Sequence, residues 1–145
     1  MHPAAELRAE LDTILPRLRA VDEAAAMRDR GAGKWVRKEI LGHLIDSAAN
    51  NHQRFVRARI HGRLAFPEYA QDTWVALHAY RERPWAELVD LWERLNRHVA
   101  VVMASTPASQ FESPCVIGAA APVTLGWLMG DYVRHMRHHL VQIVD

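Results

Sequence analysis

Two histidines near the end of the chain, His135 and His139, have the spacing of a pair of metal ligands. Residues four apart on an α-helix leave the same face about one turn, ~5–6 Å, from each other, so both imidazoles can reach one ion. Leu128 and Tyr132 lie on the same side, so this face should be buried or half-buried, where neutral imidazoles need partners. A shared metal ion is one interpretation, and two independently hydrogen-bonded histidines are the other.

A third ligand has to come from another helix. His138 is rotated by about 100° from His139 and is expected at the surface. Met136 follows His135 at the position where H-E-x-x-H zinc proteases carry their general base, so that chemistry lacks its base here. In an antiparallel bundle His43 is well placed to face the pair, and three neutral ligands plus water make an open site of catalytic type.

His43 also begins a line of polar residues on its own helix. Ser47, Asn50 and Arg54 follow it at spacings of four, three and four, at the edge of the face that the apolar residues define. A solvated boundary is one interpretation of this line. A substrate-binding wall is the other, and in that case the Arg54 guanidinium is suited to receive the carboxylate of a ligand.

The elements that must position these residues are helices, because alternating β-branched runs are nearly absent. Apolar spacings of three and four predict an all-α four-helix bundle. A long crossover, residues 63–83, separates the second and third helices and includes a short helical turn around 72–80. Its aromatic residues Tyr69 and Trp74 either roof a pocket or pack on the bundle. The helices run from Pro3 to about Val21, with a kink or split at Pro16, from about Trp35 to Gly62, from Trp85 to Val102 and from about Pro122 to Ile143.

Length and charge exclude several classes of protein. The 145 residues match one domain, 1–145, and 18 basic against 17 acidic residues leave no field that would attract nucleic acid. The uncharged stretch 113–130 is interrupted by Pro114, Pro122 and two glycines, so we expect no membrane span.

Cys115 is the only cysteine, and a signal-peptide pattern is absent, so we expect a cytoplasmic protein. Incompletely buried Trp92 and Val99 favour a homodimer.

Two segments together resemble a known family. The stretch KWVRKEILGHLIDS, Lys34 to Ser47, followed by the cluster His135-Met136-Arg137-His138-His139, resembles the DinB/YfiT-like superfamily of metal-dependent enzymes, which is unrelated to the DNA polymerase called DinB. The segment PEYAQDTW, Pro67 to Trp74, is similar to the loop after the second helix in the YfiT branch. The resemblance implies an up-down-down-up bundle and one divalent metal ion, zinc or nickel, held by His43, His135 and His139.

The resemblance also implies chemistry. Relatives include transferases that use low-molecular-weight thiols such as bacillithiol or mycothiol, so we expect transfer of such a thiol to an electrophilic small molecule. Ser47, Asn50, Arg54 and Trp74 are then candidates for binding substrate. No obvious general base stands beside the ligands, so Asp46 and Asp131 are expected to orient ligands rather than to move protons. The alternatives are a metal-dependent hydrolase and a non-catalytic stress protein that binds a metal or a ligand.

Overall fold

The computed structural model describes residues 1–145 and contains four long helices, two short helices and a small sheet. The predicted four-helix bundle, with a long connection between its second and third long helices, is confirmed. The long helices are α1, Pro3–Ala20, α3, Arg37–His61, α5, Trp85–Ala104, and α6, Leu125–Val144; the short ones are α2, Glu23–Met27, and α4, Gln71–His78. The strands are β1, Leu64–Phe66, β2, Pro114–Ile117, and β3, Val123–Thr124.

The two helices that carry the candidate ligands have well-defined ends. At the start of α3, the backbone N–H of Val36 donates to the Glu39 carboxylate at 3.1 Å, and at its end Gly62 takes the left-handed conformation with φ 67°. The α6 helix begins at Thr124, whose hydroxyl accepts from the N–H of Trp127 at 3.1 Å. These caps fix where His43 and the C-terminal histidines lie along their helices.

Each long helix packs against two others, so that α1, α5, α3 and α6 form a closed ring around the core. Polar contacts show which positions of neighbouring helices lie side by side. Ion pairs join α1 to α6 (Glu10 to Arg137, Arg17 to Asp145) and α1 to α5 (Asp12 to Arg97, Arg19 to Asp90). Hydrogen bonds to carbonyl groups join α3 to α6 (Arg37 to Ile143) and α3 to α5 (Arg59 to Val102).

The all-α prediction left out a small three-stranded sheet. Strands β1 and β2 are parallel, with Leu64 opposite Cys115, and β2 and β3 are antiparallel, with Cys115 opposite Val123. These strands have two to four residues each, too few to show an alternating pattern in the sequence. Because Val123 and Thr124 pair with β2, the last helix begins at Leu125 and not near Pro122.

The α1 helix continues through Pro16 and is not split there. Pro16 removes the hydrogen bond to the Asp12 carbonyl, but both residues are exposed, so water can satisfy the freed carbonyl. Buried Ile14, Leu15 and Leu18 hold this part of the helix against the core. Packing therefore overrides the local cost of the proline.

The core accounts for the apolar residues that had suggested a partner. Trp92 and Val99, expected to be incompletely buried, are both 0 % exposed and belong to the single large hydrophobic cluster. Their burial removes the reason for expecting a homodimer, which stays a prediction. None of the helices is long and apolar enough to pass through a bilayer.

Candidate metal centre

Three histidines from two neighbouring helices meet at one point. His43 on α3 and His135 and His139 on α6 have ligand nitrogens that all lie within 4.8 Å of one another. The Nε2 atoms of His43 and His135 are 3.3 Å apart. Packing of α3 against α6 brings the third histidine to the pair, as the sequence predicted, while His138 lies exposed. His43 is fully enclosed, and the other two are half-buried.

The three imidazoles are held in their neutral form. Burial lowers the pKa of His43 to about 3, and the positive forms of His139 and His135 would lower it further. Burial likewise lowers the pKa of His139 to about 4, with His135 adding to the effect. The pKa of His135 is also lowered by burial, and the charge of Asp131 opposes that shift. At neutral pH the cluster therefore offers lone pairs, which is what a metal ion requires.

The geometry of the cluster fits a divalent ion. Two nitrogens that each bind a tetrahedral zinc ion at about 2.0–2.1 Å lie roughly 3.3–3.4 Å apart, and the Nε2 atoms of His43 and His135 have that separation. The Nδ1 atoms of His43 and His139 are buried without a hydrogen-bond partner. The facing Nε2 atoms of His43 and His135 can share at most one hydrogen bond, whereas a metal ion between them would use both lone pairs.

A cavity of about 150 Å³ adjoins the cluster, and His135 forms part of its wall. Ser47 and Arg54, two of the predicted substrate-binding residues, also line it. The interpretation of their helix edge as a solvated boundary was wrong, because Ser47 is 3 % and Arg54 9 % exposed. The other lining residues are Asn51, Tyr69, Leu128, Asp131 and Tyr132.

Asn50 and Trp74, the other two predicted substrate-binding residues, lie in a separate groove of about 740 Å³. The Asn50 amide donates to the carbonyl of Asp46 at 2.9 Å, and Asn51 takes the place in the cavity that the sequence had assigned to Asn50. Positions three and four residues after Ser47 differ by only about 100° around the helix, so spacing alone does not separate them. Tyr69 lines both spaces and lies between them, with its ring 5.2 Å from that of Trp74.

Asp46 and Asp131, which were expected to orient the histidine ligands, form no hydrogen bond to any of the three histidines. Asp46 accepts from the Tyr80 hydroxyl at 2.6 Å and lies 3.0 Å from His78 Nδ1, so it ties α3 to the crossover. Burial raises the pKa of Asp46, and these two partners oppose that shift. Asp131 pairs with Arg134 at 3.3 Å and acts on His135 through its charge alone. No local pattern in the sequence indicates a role for Tyr80, because its partner Asp46 is 34 positions away.

Trp35, next to the start of α3, packs its ring 5.1 Å from the ring of His43. It lines a groove of about 460 Å³ together with Gln142 and the cations Arg30 and Lys34. The sequence had singled out Trp35 as part of a motif but assigned it no role. Cys115 is fully buried in β2, away from the cavity, and burial raises the pKa of its thiol.

The fold and the cluster together define a helical-bundle protein with a candidate three-histidine metal centre. The family model described as the DinB superfamily matches residues 6–143, and the chain belongs to the DinB superfamily. A curated protein of Oceanobacillus iheyensis, named provisionally as a metal-dependent hydrolase, is 23 % identical over 114 residues, which cover 79 % of this chain and 66 % of that protein.

Two solved structures share the fold. YfiT from Bacillus subtilis, described provisionally as a metal-dependent hydrolase with an unusual four-helix bundle topology, superposes with a TM-score of 0.86 at 19 % identity, covering 97 % of this chain and 81 % of YfiT. A mycothiol-dependent maleylpyruvate isomerase superposes with a TM-score of 0.79 at 16 % identity, covering 97 % of this chain and 59 % of the isomerase. The chain thus spans just under two thirds of the curated relative and about three fifths of the isomerase.

Proposed function

We propose that this protein is a metal-dependent enzyme that transfers a low-molecular-weight thiol to an electrophilic small molecule. His43, His135 and His139 would hold one divalent ion, zinc or nickel. The observation that carries the proposal is the meeting of three neutral imidazoles from two helices, with ligand nitrogens within 4.8 Å of one another, beside a cavity that His135 lines. When bound, such an ion supplies Lewis-acid chemistry and lowers the pKa of an acidic group that coordinates it.

The cavity favours a nucleophile that arrives with a ligand. The only thiol of the chain, Cys115, is buried elsewhere, so a thiol used in the reaction must come from a co-substrate. The similarity in fold to a mycothiol-dependent enzyme supports this class of co-substrate. Leu128 and the ring of Tyr132 exclude water from one side of the cavity, while Ser47 and Asn51 offer hydrogen-bonding groups on the other.

We assign the predicted substrate-binding residues to two subsites. Ser47 and Arg54 belong to the cavity beside the histidines, and Asn50 and Trp74 belong to the outer groove, where the larger part of a substrate would lie. Asp131 is the one carboxylate in the cavity lining and is therefore the group placed to hold a proton there. Asp46 has a positioning role, because it fastens the crossover that carries Tyr69 and Trp74.

The bundle has the up-down-down-up topology in this proposal. Residue numbers increase together in the contacts between α1 and α6. They also increase together from Lys38, which contacts the carbonyl of Arg81 just before α5, to Arg59, which contacts the carbonyl of Val102 within α5. They run in opposite directions between α1 and α5 and between α3 and α6. The first and last long helices would therefore be parallel to each other and antiparallel to the middle two.

Metal-dependent hydrolysis is the second candidate, favoured by the provisional names of two relatives. One experiment separates the two functions. Metal-loaded protein is given bacillithiol or mycothiol with 1-chloro-2,4-dinitrobenzene, and in a parallel assay p-nitrophenyl acetate without thiol. We expect thiol consumption that depends on the protein and is lost in His43→Ala but kept in His138→Ala. Ester hydrolysis with that same dependence, and no thiol transfer, would instead support the hydrolase.

A further inference from the structure

Arg54 is a buried cation without a counter-ion. Its side chain is on α3, 9 % exposed, and its Nε has no hydrogen-bond partner. Lys38, the other buried side chain that carries a positive charge, pairs with Glu23 at 2.7 Å and donates to the carbonyl of Arg81. The guanidinium of Arg54 has no carboxylate within ion-pair distance, although it is the more versatile hydrogen-bond donor of the two.

A guanidinium keeps its charge in proteins, so burying it unpaired costs free energy that an ion pair normally offsets. Burial lowers the pKa of Arg54, and the charge of Glu68 opposes that shift without forming an ion pair. Asp131 lines the same cavity but is paired with Arg134. The protein thus supplies the cation and leaves its partner to be supplied from outside.

The surroundings of Arg54 define what that partner is. Its guanidinium carbon lies 5.7 Å from the ring centre of Phe66 and 6.0 Å from that of Tyr69. Ser47 and Asn51 contribute a hydroxyl and an amide to the same lining, and His135 forms another part of the wall. An anion bound to Arg54 would therefore share a small cavity with His135 of the histidine cluster.

We propose that Arg54 anchors a carboxylate group of the ligand whose reactive end faces the histidine cluster. The inference rests on the proposed function and adds to it the chemical class of the substrate. A carboxylate matches one guanidinium edge with two parallel hydrogen bonds. At Arg54 itself a phosphate dianion fits less well, because this guanidinium is the only cationic side chain in the lining, Asp131 would repel a second negative charge, and the proposed metal ion faces the reactive end of the ligand.

The cavity is too small to enclose a whole cofactor. Pockets for drug-sized ligands have about 300–1,000 Å³, and this one has about 150 Å³. It therefore takes the carboxylate and a few further atoms, and the rest of the ligand extends past Tyr69 into the larger groove. The carboxylate can belong to the thiol co-substrate or to the electrophile, which share this chemistry.

The test compares matched acids and amides by calorimetric titration of the metal-loaded protein. One pair is 3-mercaptopropionate and 3-mercaptopropionamide, and the other is crotonate and crotonamide, which carry an electrophilic double bond and no thiol. We expect the wild type to bind the acid of at least one pair ten- to hundredfold more tightly than its amide, as charge-assisted hydrogen bonds predict. Discrimination in the first pair assigns the carboxylate to the thiol, and discrimination in the second assigns it to the electrophile.

Two variants locate the effect. Arg54→Gln should bring the acid-to-amide ratio close to one, whereas Arg63→Gln, at an exposed arginine just past the end of α3 that lines neither the cavity nor the groove, should leave it unchanged. The ¹⁵N–¹H resonance of Arg54 Nε should also shift on addition of the acid and not of the amide. Equal binding of acid and amide in both pairs, or a ratio that survives Arg54→Gln, would overturn the proposal.

A third variant keeps this proposal apart from the metal centre. His135→Ala should weaken both thiol probes by the same factor and leave the acid-to-amide ratio of the thiol pair intact. Unchanged thiol binding in His135→Ala would count against the proposed function. The acid-to-amide ratio in the wild type and in Arg54→Gln would still test the role of Arg54. Thermal melts of each variant by circular dichroism identify any loss of ratio that is due to unfolding.

Discussion

Gly42, next to His43, is predicted to be intolerant of even one additional carbon. A Cβ atom at this position would fall within 3.0 Å of three carbons of the Tyr80 ring, a separation that real Cβ atoms do not show. Carbon atoms in contact lie about 3.5–4.0 Å apart, so the ring would have to move by roughly 1 Å or more. Tyr80 is 2 % exposed and its hydroxyl donates to Asp46, so it has no free direction in which to move.

The expected cost of Gly42→Ala follows from these contacts. Overpacking of a core costs about 1–3 kcal/mol, and loss of a hydrogen bond to a charged group costs about 1.5–3 kcal/mol. The higher helix propensity of alanine returns about 1 kcal/mol. We therefore expect the free energy of unfolding to fall by about 3 kcal/mol, measured by urea denaturation followed by circular dichroism.

Gly130 provides the matched control, since it is also a glycine inside a long helix. A Cβ there would lie 3.2 Å from the end of the flexible Arg134 side chain, which can move away. Gly130→Ala should be neutral or up to about 1 kcal/mol stabilising. Equal effects of the two substitutions would refute the reasoning, because only the contact with Tyr80 distinguishes them.

Three further predictions concern stability. His43 alone should lower the free energy of unfolding of the metal-free protein by about 2 kcal/mol when the pH is lowered from 7.5 to 5. The pKa of His43 is about 3 in the folded state and about 6.5 in the unfolded chain, so protons bind the unfolded chain first and stability decreases as the pH drops below 6.5. Urea titrations should show a correspondingly flatter profile for His43→Gln, and an unaltered slope would contradict the burial of a neutral imidazole. Thr124→Ala should cost about 1 kcal/mol by removing the cap of α6, and Thr124→Ser should restore most of it. Tyr132→Phe should cost about 1–3 kcal/mol, because it leaves the buried Asn96 side-chain oxygen without its donor; a neutral result in chemical denaturation would exclude that bond.

The long helices could be predicted from the sequence because each one carries a periodic apolar stripe and recognisable end signals. Gly62 ends α3 in the left-handed conformation, and Pro84 precedes the first residue of α5, as the sequence indicated. The meeting of His43 with the C-terminal pair was also predictable, since antiparallel neighbours bring these positions together. Such features depend on local spacing, which a single sequence records.

Features that depend on distant contacts were not predictable in the same way. The sheet forms because Leu64 and Cys115, 51 positions apart, are brought together by the bundle. Asp46 bonds to Tyr80 in the crossover, and no local pattern records that pairing. Asn51 and not Asn50 lines the cavity, and the sequence does not show this, because Tyr69 from the crossover lies between the cavity and the groove.

Surface histidines have to be considered before the metal content of this protein is measured. The rings of His52 on α3 and His98 on α5 lie 4.9 Å apart, outside the cluster. Such a pair can bind metal weakly in preparations with excess metal. His98→Ala therefore serves as a background control, and the protein must be purified without a polyhistidine tag.

The proposed function depends on the binding of one divalent ion to the cluster of His43, His135 and His139. Elemental analysis by mass spectrometry of protein purified without a tag measures this binding. We expect one equivalent of metal in the wild type, in His138→Ala and in His98→Ala. We expect a loss of most of the metal in the alanine variants of each of the three cluster histidines, with folding retained. Full metal content in His135→Ala together with loss in His138→Ala would contradict the proposed site.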